Sequence, residues 1–261
     1  MSSPVALTKM HGARNDFLIL DARTVRVGAL ESFARQVCDR HVGVGADGLI
    51  VIEMGRGAEL VMRTLNPDGS EAEMCGNGVR CAARWLDEAG EGGRIDFTTA
   101  AGTVRTRVVV RHPEYLVEVE MPSPRVTAIA FESFENAYRV DLGNPHLVVF
   151  VPSIDHVDLE PMAARAQRDR RFPAGVNVHV ATALDGALRM RHWERGAGAT
   201  MACGTGAVAA AAAAIAYRGL SSPLEVRVPG GRLVVEWNAS GAARLTGPAV
   251  RVFDTEIRAD P

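Results

Sequence analysis

The feature that most constrains this chain is that it runs through one order of elements twice. Met74-Cys75-Gly76-Asn77-Gly78 and Ala202-Cys203-Gly204-Thr205-Gly206 are Cys-Gly-x-Gly boxes, each opening an alanine-rich stretch with helical spacing. An offset of 128 residues carries Cys75 onto Cys203, and also Met62 onto Met190, Arg63 onto Arg191, Asn66 onto Glu194, Gly76 onto Gly204 and Gly78 onto Gly206. An offset of 129 carries Asn15 onto Asn144. Solenoid repeats recur every ~20–50 residues, so this spacing reads as a duplication that makes a pseudo-twofold molecule rather than an array.

The elements of each half follow from pattern. In the first, Phe17 to Leu20 is a short buried strand after the polar turn Gly12 to Asp16. Leu30 to Arg40 has helical spacing, with Phe33, Val37 and Cys38 on one face. Leu49 to Glu53 and Leu60 to Leu65 are strands, the latter ending in the turn Asn66-Pro67-Asp68-Gly69-Ser70. The helix after Cys75 runs to about Ala89, where Gly90 and Gly92-Gly93 stop it. Ile95 to Phe97, Val104 to Val110 and Leu116 to Met121 are β-rich. Pro122 and Pro124 then mark a domain boundary, giving lobes at 1–122 (with the returning stretch 250–261) and 123–249.

In the second half, the turn Gly143-Asn144-Pro145-His146 precedes the strand Leu147 to Phe150, and a helix is predicted near Glu160 to Gln167. Gly175 to Val180 and Leu188 to Trp193 are strands, and the turn Glu194 to Gly198 leads to Cys203. Val226 to Val228, Arg232 to Trp237 and Val250 to Phe253 close the chain as strands. The second helix holds six consecutive alanines, Ala209 to Ala214. Alanine is the best helix former, and a helix apolar all round is buried on every side. The predicted fold is therefore α/β (α+β), two pseudo-symmetric lobes, each an antiparallel strand barrel wrapped around a central helix.

Several function classes are excluded early. A net charge of −2 over 261 residues gives no basic field for nucleic acid. Arg165, Arg168, Arg170 and Arg171 are interspersed with Asp169 and read as a solvated face. No signal-peptide pattern opens the chain, and the apolar run Ala207 to Tyr217 is far short of the ~18–20 residues that span a bilayer. The expectation is a cytoplasmic protein without membrane contact. Gly43-Val44-Gly45-Ala46-Asp47-Gly48 matches a dinucleotide fingerprint in form, but it leads into a strand, so that site is rejected. No His-Glu-x-x-His or paired Cys/His spacing suggests a metal, and Lys9, the only lysine, has no feature of a pyridoxal site. Cys38 and Cys81 read as small buried hydrophobes.

The two boxes carry chemistry. A cysteine at a helix start sits in the positive end of the dipole beside unpaired N–H groups, both of which favour thiolate. Glycines let backbone N–H groups close on a ligand, and helix N-termini bind carboxylates without basic side chains. Two such termini would grip one α-carboxylate with a sulfur on either face of its Cα. One thiolate removes the Cα proton and the other thiol protonates the opposite face, the two titrating as a coupled pair. His146 and Glu194 are the candidates to tune that pair.

With these residues in view, the chain resembles the diaminopimelate epimerase family nearly end to end. The resemblance is carried by Lys9-Met10-His11-Gly12-Ala13-Arg14-Asn15-Asp16-Phe17, by Asn66 to Cys81, by Gly143-Asn144-Pro145-His146, by Asn177, and by Glu194-Arg195-Gly196 through Gly206. It implies interconversion of LL- and meso-diaminopimelate without cofactor or metal, in bacterial lysine and cell-wall synthesis, by a homodimer of two-lobed subunits. It implies Cys75 and Cys203 as the acid/base pair, with Gly76, Asn77, Gly204 and Thr205 at the reacting carboxylate. Asn15, Asn66, Asn144, Asn177, Glu194 and Arg195 would read the rest of a small amino-acid substrate. Two departures stand out: Arg14 occupies a position where the family usually has glycine, and Gly48 one where some members place a substrate-contacting glutamine. Three alternatives stay open: a racemase of the same fold acting on another amino acid, a thiol redox or sensor protein using Cys75 and Cys203, and a non-catalytic amino-acid-binding module. Proline-racemase-like enzymes usually have His where this chain has Asn77.

Overall fold

The computed structural model describes residues 4–72 and 74–258; Met1–Ser3, Glu73 and the last residues of the expected returning stretch, 259–261, lie outside it. The chain divides into two compact units, Met1–Val119 with Pro248–Pro261, and Glu120–Gly247. In chain order the elements are β1 (Pro4–Gly12), β2 (Asn15–Asp21), α1 (Leu30–Cys38), β3 (Gly48–Met54), β4 (Leu60–Leu65), β5 (Glu71–Ala72), α2 (Gly76–Glu88), β6 (Arg94–Thr99), β7 (Gly102–Val110) and β8 (Leu116–Met121). They continue with β9 (Arg125–Phe131), β10 (Phe134–Asp141), β11 (Pro145–Phe150), α3 (Leu159–Ala166), β12 (Asn177–Leu184), β13 (Ala187–Trp193), α4 (Gly204–Tyr217), β14 (Leu224–Val228), β15 (Gly231–Glu236), β16 (Ala243–Pro248) and β17 (Val250–Arg258).

The duplication is visible in the strand register. β2 and β3 pair in parallel with Phe17 opposite Gly48, and β11 and β12 pair in parallel with His146 opposite Asn177, the same positions displaced by 129 residues. The barrels are thus not purely antiparallel. A strand, a crossover helix and a second strand in the same direction form a parallel pair, and this happens in each unit around α1 or α3. A second parallel step joins β4 to β6 around α2, and β13 to β14 around α4.

Strand alternation then sends side chains to two helices. Leu49 and Val51 of β3 pack with Phe33, Ala34 and Val37 of α1, whereas the intervening Ile50 meets Gly78 of α2. In the second unit Val178 and Val180 of β12 pack with Leu159, Met162 and Ala163 of α3. The intervening His179 points at Gly206 of α4. In each unit the strands therefore carry one helix outside and wrap one inside. α2 lies against β1, β2, β3, β7 and β17, and α4 against β9 to β15. Ala207 to Ala214 are all fully buried, and small side chains let strands close on α4 from every side.

β1, β9, β10 and β16 are strands that the sequence pattern did not single out. Most of β9 is exposed, with only Phe131 buried, so it lacks the alternation that marks a half-buried strand. β16 contains Gly247 and Pro248, which read as punctuation. β17 pairs antiparallel with β1 from Pro4↔Arg258 to His11↔Val250, which returns the chain's end to the first unit.

Arg14 sits in the left-handed region with φ +65°, directly after Ala13 at φ +52°. A non-glycine residue there is strained by ~1–2 kcal/mol, and Arg14 is exposed with its backbone N–H donating to His11 Nδ1 at 3.4 Å. Arg14→Gly is expected to raise unfolding stability by about 0.5–1 kcal/mol, because the added flexibility of the unfolded chain offsets part of the relief. Urea unfolding of the two proteins measures this.

Candidate active site

Cys75 is the N-cap of α2, with extended φ −127° and ψ 110°, and is half-buried. Around it the first unit gathers a set of amides. Cys75 Sγ–H donates to Asn15 Oδ1 at 3.7 Å, and Asn77 Nδ2 donates to the same oxygen at 3.0 Å. Asn15 Nδ2 in turn donates to Asp47 Oδ2 at 2.7 Å. Asp47 belongs to an ion cluster in which Arg40 bridges Asp16 and Asp47 at 2.7 Å each, and Lys9 contacts Asp16 at 2.5 Å and the Gly45 carbonyl. Burial opposes ionisation of Asp16, but its bonds to Arg40 and Lys9 outweigh that and hold its pKa down at about 2. Asn66 is held in the turn after β4, with its Nδ2 donating to Ser70 Oγ at 2.9 Å. The fingerprint-like glycine stretch before Gly48 leads into β3, so no helix N-terminus faces a dinucleotide there.

Beneath this set lies Arg80, fully buried. Its guanidinium donates to Asn77 Oδ1 at 2.8 Å, to the Gly76 carbonyl at 3.2 Å and to the Pro248 carbonyl at 3.2 Å, and it interacts electrostatically with Cys75. Sequence reasoning missed it, although the signal was present. A helical side chain leans back over the preceding turn, so Arg80, three and four residues after Asn77 and Gly76, must cover the start of its own helix.

Cys203 occupies the corresponding N-cap of α4, with φ −120° and ψ 107°. It is buried; its Sγ accepts from Gly206 N–H at 3.4 Å and lies 3.6 Å from Thr205 Oγ1. The sequence led us to expect a helix terminus to favour thiolate at both boxes. At Cys203 burial pushes the thiol well above its ordinary range, the Glu194 carboxylate pushes it further, and the bonds from Thr205 and Gly206 do not compensate. Cys203 is therefore a thiol at neutral pH. Burial likewise raises Glu194, although bonds from Thr200 and Cys203 hold it back.

The rest of the second unit's candidates fall into three hydrogen-bonded sets. His146 Nε2 lies 2.9 Å from Asn144 Oδ1, and His146 Nδ1 lies 2.9 Å from His179 Nε2. Asn177 Nδ2 donates to the Pro145 carbonyl at 3.3 Å, and Asn177 Oδ1 accepts from Arg195 N–H at 2.9 Å. The Arg195 side chain donates to the Ala174 carbonyl at 2.7 Å. Glu194 accepts from the Thr200 hydroxyl, and His192 Nε2 lies 2.8 Å from Thr200 Oγ1. His146, His179 and His192 make a buried row, with ring centroids 5.1 Å and 6.1 Å apart. Burial keeps all three neutral, lowering His146 to about 3, His192 to about 4 and His179 well below its ordinary value.

His179 and His192 were missed because a strand histidine looks like any alternating residue. The repeat supplies the missing signal. Displaced by 129 and 128 residues they fall on Ile50 and Thr64, so imidazoles replace an apolar and a small residue in a layer that faces the inner helix. The packing there is tight, since a Cβ on Gly206 would come within 2.2 Å of His179 Cε1.

Among the described residues no group of three or more His, Cys, Asp or Glu side chains is placed to hold a metal ion, and no helix is long and apolar enough to cross a membrane.

Comparison with known proteins fits these residues. The family model for diaminopimelate epimerase matches residues 7–127 and 138–252. A diaminopimelate epimerase of Rhizorhabdus wittichii is 40% identical over 269 residues, covering 97% of this chain and 95% of that protein. One from Sphingopyxis alaskensis is 40% identical over 259 residues, covering 95% and 96%. Among solved structures, a phenazine biosynthesis protein of Bacillus anthracis superposes with TM-score 0.74 at 17% identity, covering 98% of this chain and all of that one. A hydroxyproline epimerase of Agrobacterium vitis, solved with trans-4-hydroxy-L-proline, gives TM-score 0.68 at 18% identity, covering 100% and 95%. At such identities the structures establish the shared fold; the sequence matches, spanning nearly the whole chain and both Cys-Gly-x-Gly boxes, establish that this chain belongs to the diaminopimelate epimerase family.

Proposed function

We propose that this chain epimerises LL-2,6-diaminopimelate to meso-diaminopimelate, and the reverse, by two-base proton transfer between Cys75 and Cys203 without a cofactor. The observation that carries the reading is the placing of both thiols at the N-caps of equivalent, buried inner helices. One thiolate takes the Cα proton and the opposite thiol supplies a proton to the other face. Cys203, held as a thiol by burial and Glu194, suits the donor role in one direction. Charge developing on the substrate carboxylate falls to the N–H groups of Gly76, Asn77, Gly204 and Thr205, and such donors contribute ~2.7–4 kcal/mol each to a developing oxyanion. A Cβ at Gly76 meets no atom within 4 Å, so packing does not demand a glycine there, whereas close approach of a ligand does.

Asn15, Asn66, Asn144, Asn177, Glu194 and Arg195 are the proposed readers of the remaining amino and carboxyl groups, with Arg195 and Glu194 offering charge-assisted bonds to carboxylate and ammonium. His146 is neutral and tied to Asn144, so its part is to orient and accept rather than to carry charge. A cytoplasmic homodimer belongs to the same reading and rests on the family resemblance.

The test is a chiral assay of purified protein, without added pyridoxal phosphate or metal, over a panel of amino acids that includes LL-diaminopimelate. Inversion of LL-diaminopimelate alone is expected. Inversion of a different amino acid instead would replace the substrate, and inversion of none would refute the reading.

A further inference from the structure

We propose that His179 is a positioning residue: through His146 it fixes the side-chain amide of Asn144 with the oxygen bound and the amino group left for a ligand, so that Asn144 meets the substrate as a donor, to a carboxylate rather than to an ammonium. The inference rests on the reading above in one respect, that Asn144 touches the substrate.

His146 and His179 are fully buried, so each ring is neutral and carries one proton. His146 uses both of its nitrogens: Nε2 lies 2.9 Å from Asn144 Oδ1, and Nδ1 lies 2.9 Å from His179 Nε2. With one proton on the ring, one nitrogen donates and the other accepts. Two arrangements satisfy this. In the first, His179 Nε2–H donates to His146 Nδ1, His146 Nε2–H donates to Asn144 Oδ1, and the Asn144 amino group is left over. In the second the amide is turned round and every bond is reversed, which puts the His179 proton on Nδ1. His179 Nδ1 decides between them. It has no hydrogen-bond partner among the described residues, and it lies against Gly206, where a Cβ would come within 2.7 Å of it. The first arrangement leaves a bare lone pair there. The second leaves a buried N–H with no acceptor, the rarer kind of orphan. The donors therefore run from His179 through His146 to the Asn144 oxygen.

Packing alone does not call for the imidazoles. At the offset of 129, Asn144, His146 and His179 fall on Asn15, Phe17 and Ile50, so apolar side chains fill the same two buried places in the first unit. Ile50 meets Gly78 there as His179 meets Gly206. An unpaired buried nitrogen is destabilising, and the side-chain hydrogen bond that His179 makes among the described residues is the one to His146. That bond accounts for a histidine at this place. The first unit fixes its own asparagine by other means and in the opposite sense. The Asp47 carboxylate accepts from Asn15 Nδ2 at 2.7 Å, and Asn15 Oδ1 is turned to accept from Asn77 and Cys75. Equivalent asparagines are thus pinned with opposite polarity, Asn15 showing its oxygen and Asn144 its amino group.

The test compares His179→Ile, which takes the side chain of the other repeat, with His179→Gln, which keeps a donor near the place of Nε2. With LL-diaminopimelate as substrate, His179→Ile is expected to raise KM about 10-fold with kcat changed less than about threefold, as for loss of one charge-assisted bond to the non-reacting part of the substrate. His179→Gln is expected to recover most of that loss. Asn144→Ala should raise KM to a similar extent, and adding His179→Ile to it should raise KM no further, since one residue acts through the other. Additive losses in the double variant, unchanged KM in His179→Ile, or a fall in kcat at constant KM would overturn the proposal. A second readout needs neither turnover nor a variant: long-range proton–nitrogen correlation NMR of wild-type protein carrying isotope-labelled histidine, which reports the tautomer of each ring. His146 and His179 are both expected as Nε2–H tautomers, and His146 is expected to lose its single tautomer in His179→Ile and keep it in His179→Gln. A proton on Nδ1 of either ring in the wild-type protein would overturn the proposal even if the protein epimerises diaminopimelate. The expected tautomers in a protein that inverts no amino acid would overturn the epimerase reading and leave this chain of bonds standing.

Discussion

Replacing either Cys75 or Cys203 by alanine is expected to lower full inversion of diaminopimelate by roughly 10³- to 10⁴-fold, the upper range for loss of a positioned acid or base. The two variants should differ in stability. Cys75 makes no side-chain capping bond to α2, so Cys75→Ala leaves the helix start as it was. Cys203 Sγ accepts from Gly206 N–H, so Cys203→Ala also gives up a cap, at a cost of about 1 kcal/mol. In a two-base scheme each variant loses a different half of the reaction, because the remaining sulfur can still exchange the proton on its own face. Steady-state inversion assays with unfolding curves for both variants check this. Normal turnover by either would remove the two-base mechanism, and a protein whose activity requires a Cys75–Cys203 disulfide would be the thiol redox protein instead.

The second large effect is on stability. Arg80→Met is expected to destabilise the first unit by about 3–5 kcal/mol, because it removes charge-assisted donors from two buried acceptors and one part-buried acceptor in one step. The consequence reaches beyond α2. Arg80 holds the Pro248 carbonyl, and Arg84, one turn on, donates to the Ala249 carbonyl at 2.7 Å while stacking over Tyr115 at 4.4 Å. Together these guanidiniums tie the residues just before β17 to the inner helix. Arg80 also fixes Asn77, which shares the Asn15 oxygen with Cys75. Arg80→Met should therefore lose activity at temperatures where it is still folded. Urea unfolding monitored by circular dichroism gives the magnitude, and a loss under about 1 kcal/mol would show that the buried guanidinium is not what holds this unit's site together.

How much was legible in the sequence depended on whether a signal was local. The boxes, the six alanines and the repeat offset predicted the inner helices and their N-caps. The parallel pairs were not legible, since pairing direction follows from where the crossover helix returns the chain. Asn15 and Asn77 were recognised one by one, but their shared oxygen could not be, since it depends on β2 passing the start of α2. Nothing in the sequence pattern joined Lys9, Asp16, Arg40 and Asp47, which lie apart in the chain, yet they form the cluster that orients Asn15. The helix-dipole argument for thiolate failed at Cys203 because it counted the terminus and not the burial or the Glu194 carboxylate, nine residues earlier in the chain.

The central claim is that inversion proceeds by removal of a proton on one face and delivery of a different proton on the other. Its most direct measurement is incubation of wild-type protein with LL-diaminopimelate in D₂O, with mass spectrometry of the separated epimers at low conversion. The account predicts that each meso product molecule carries one solvent deuteron at the inverted Cα, with no added cofactor. Product that retains the original proton would contradict it.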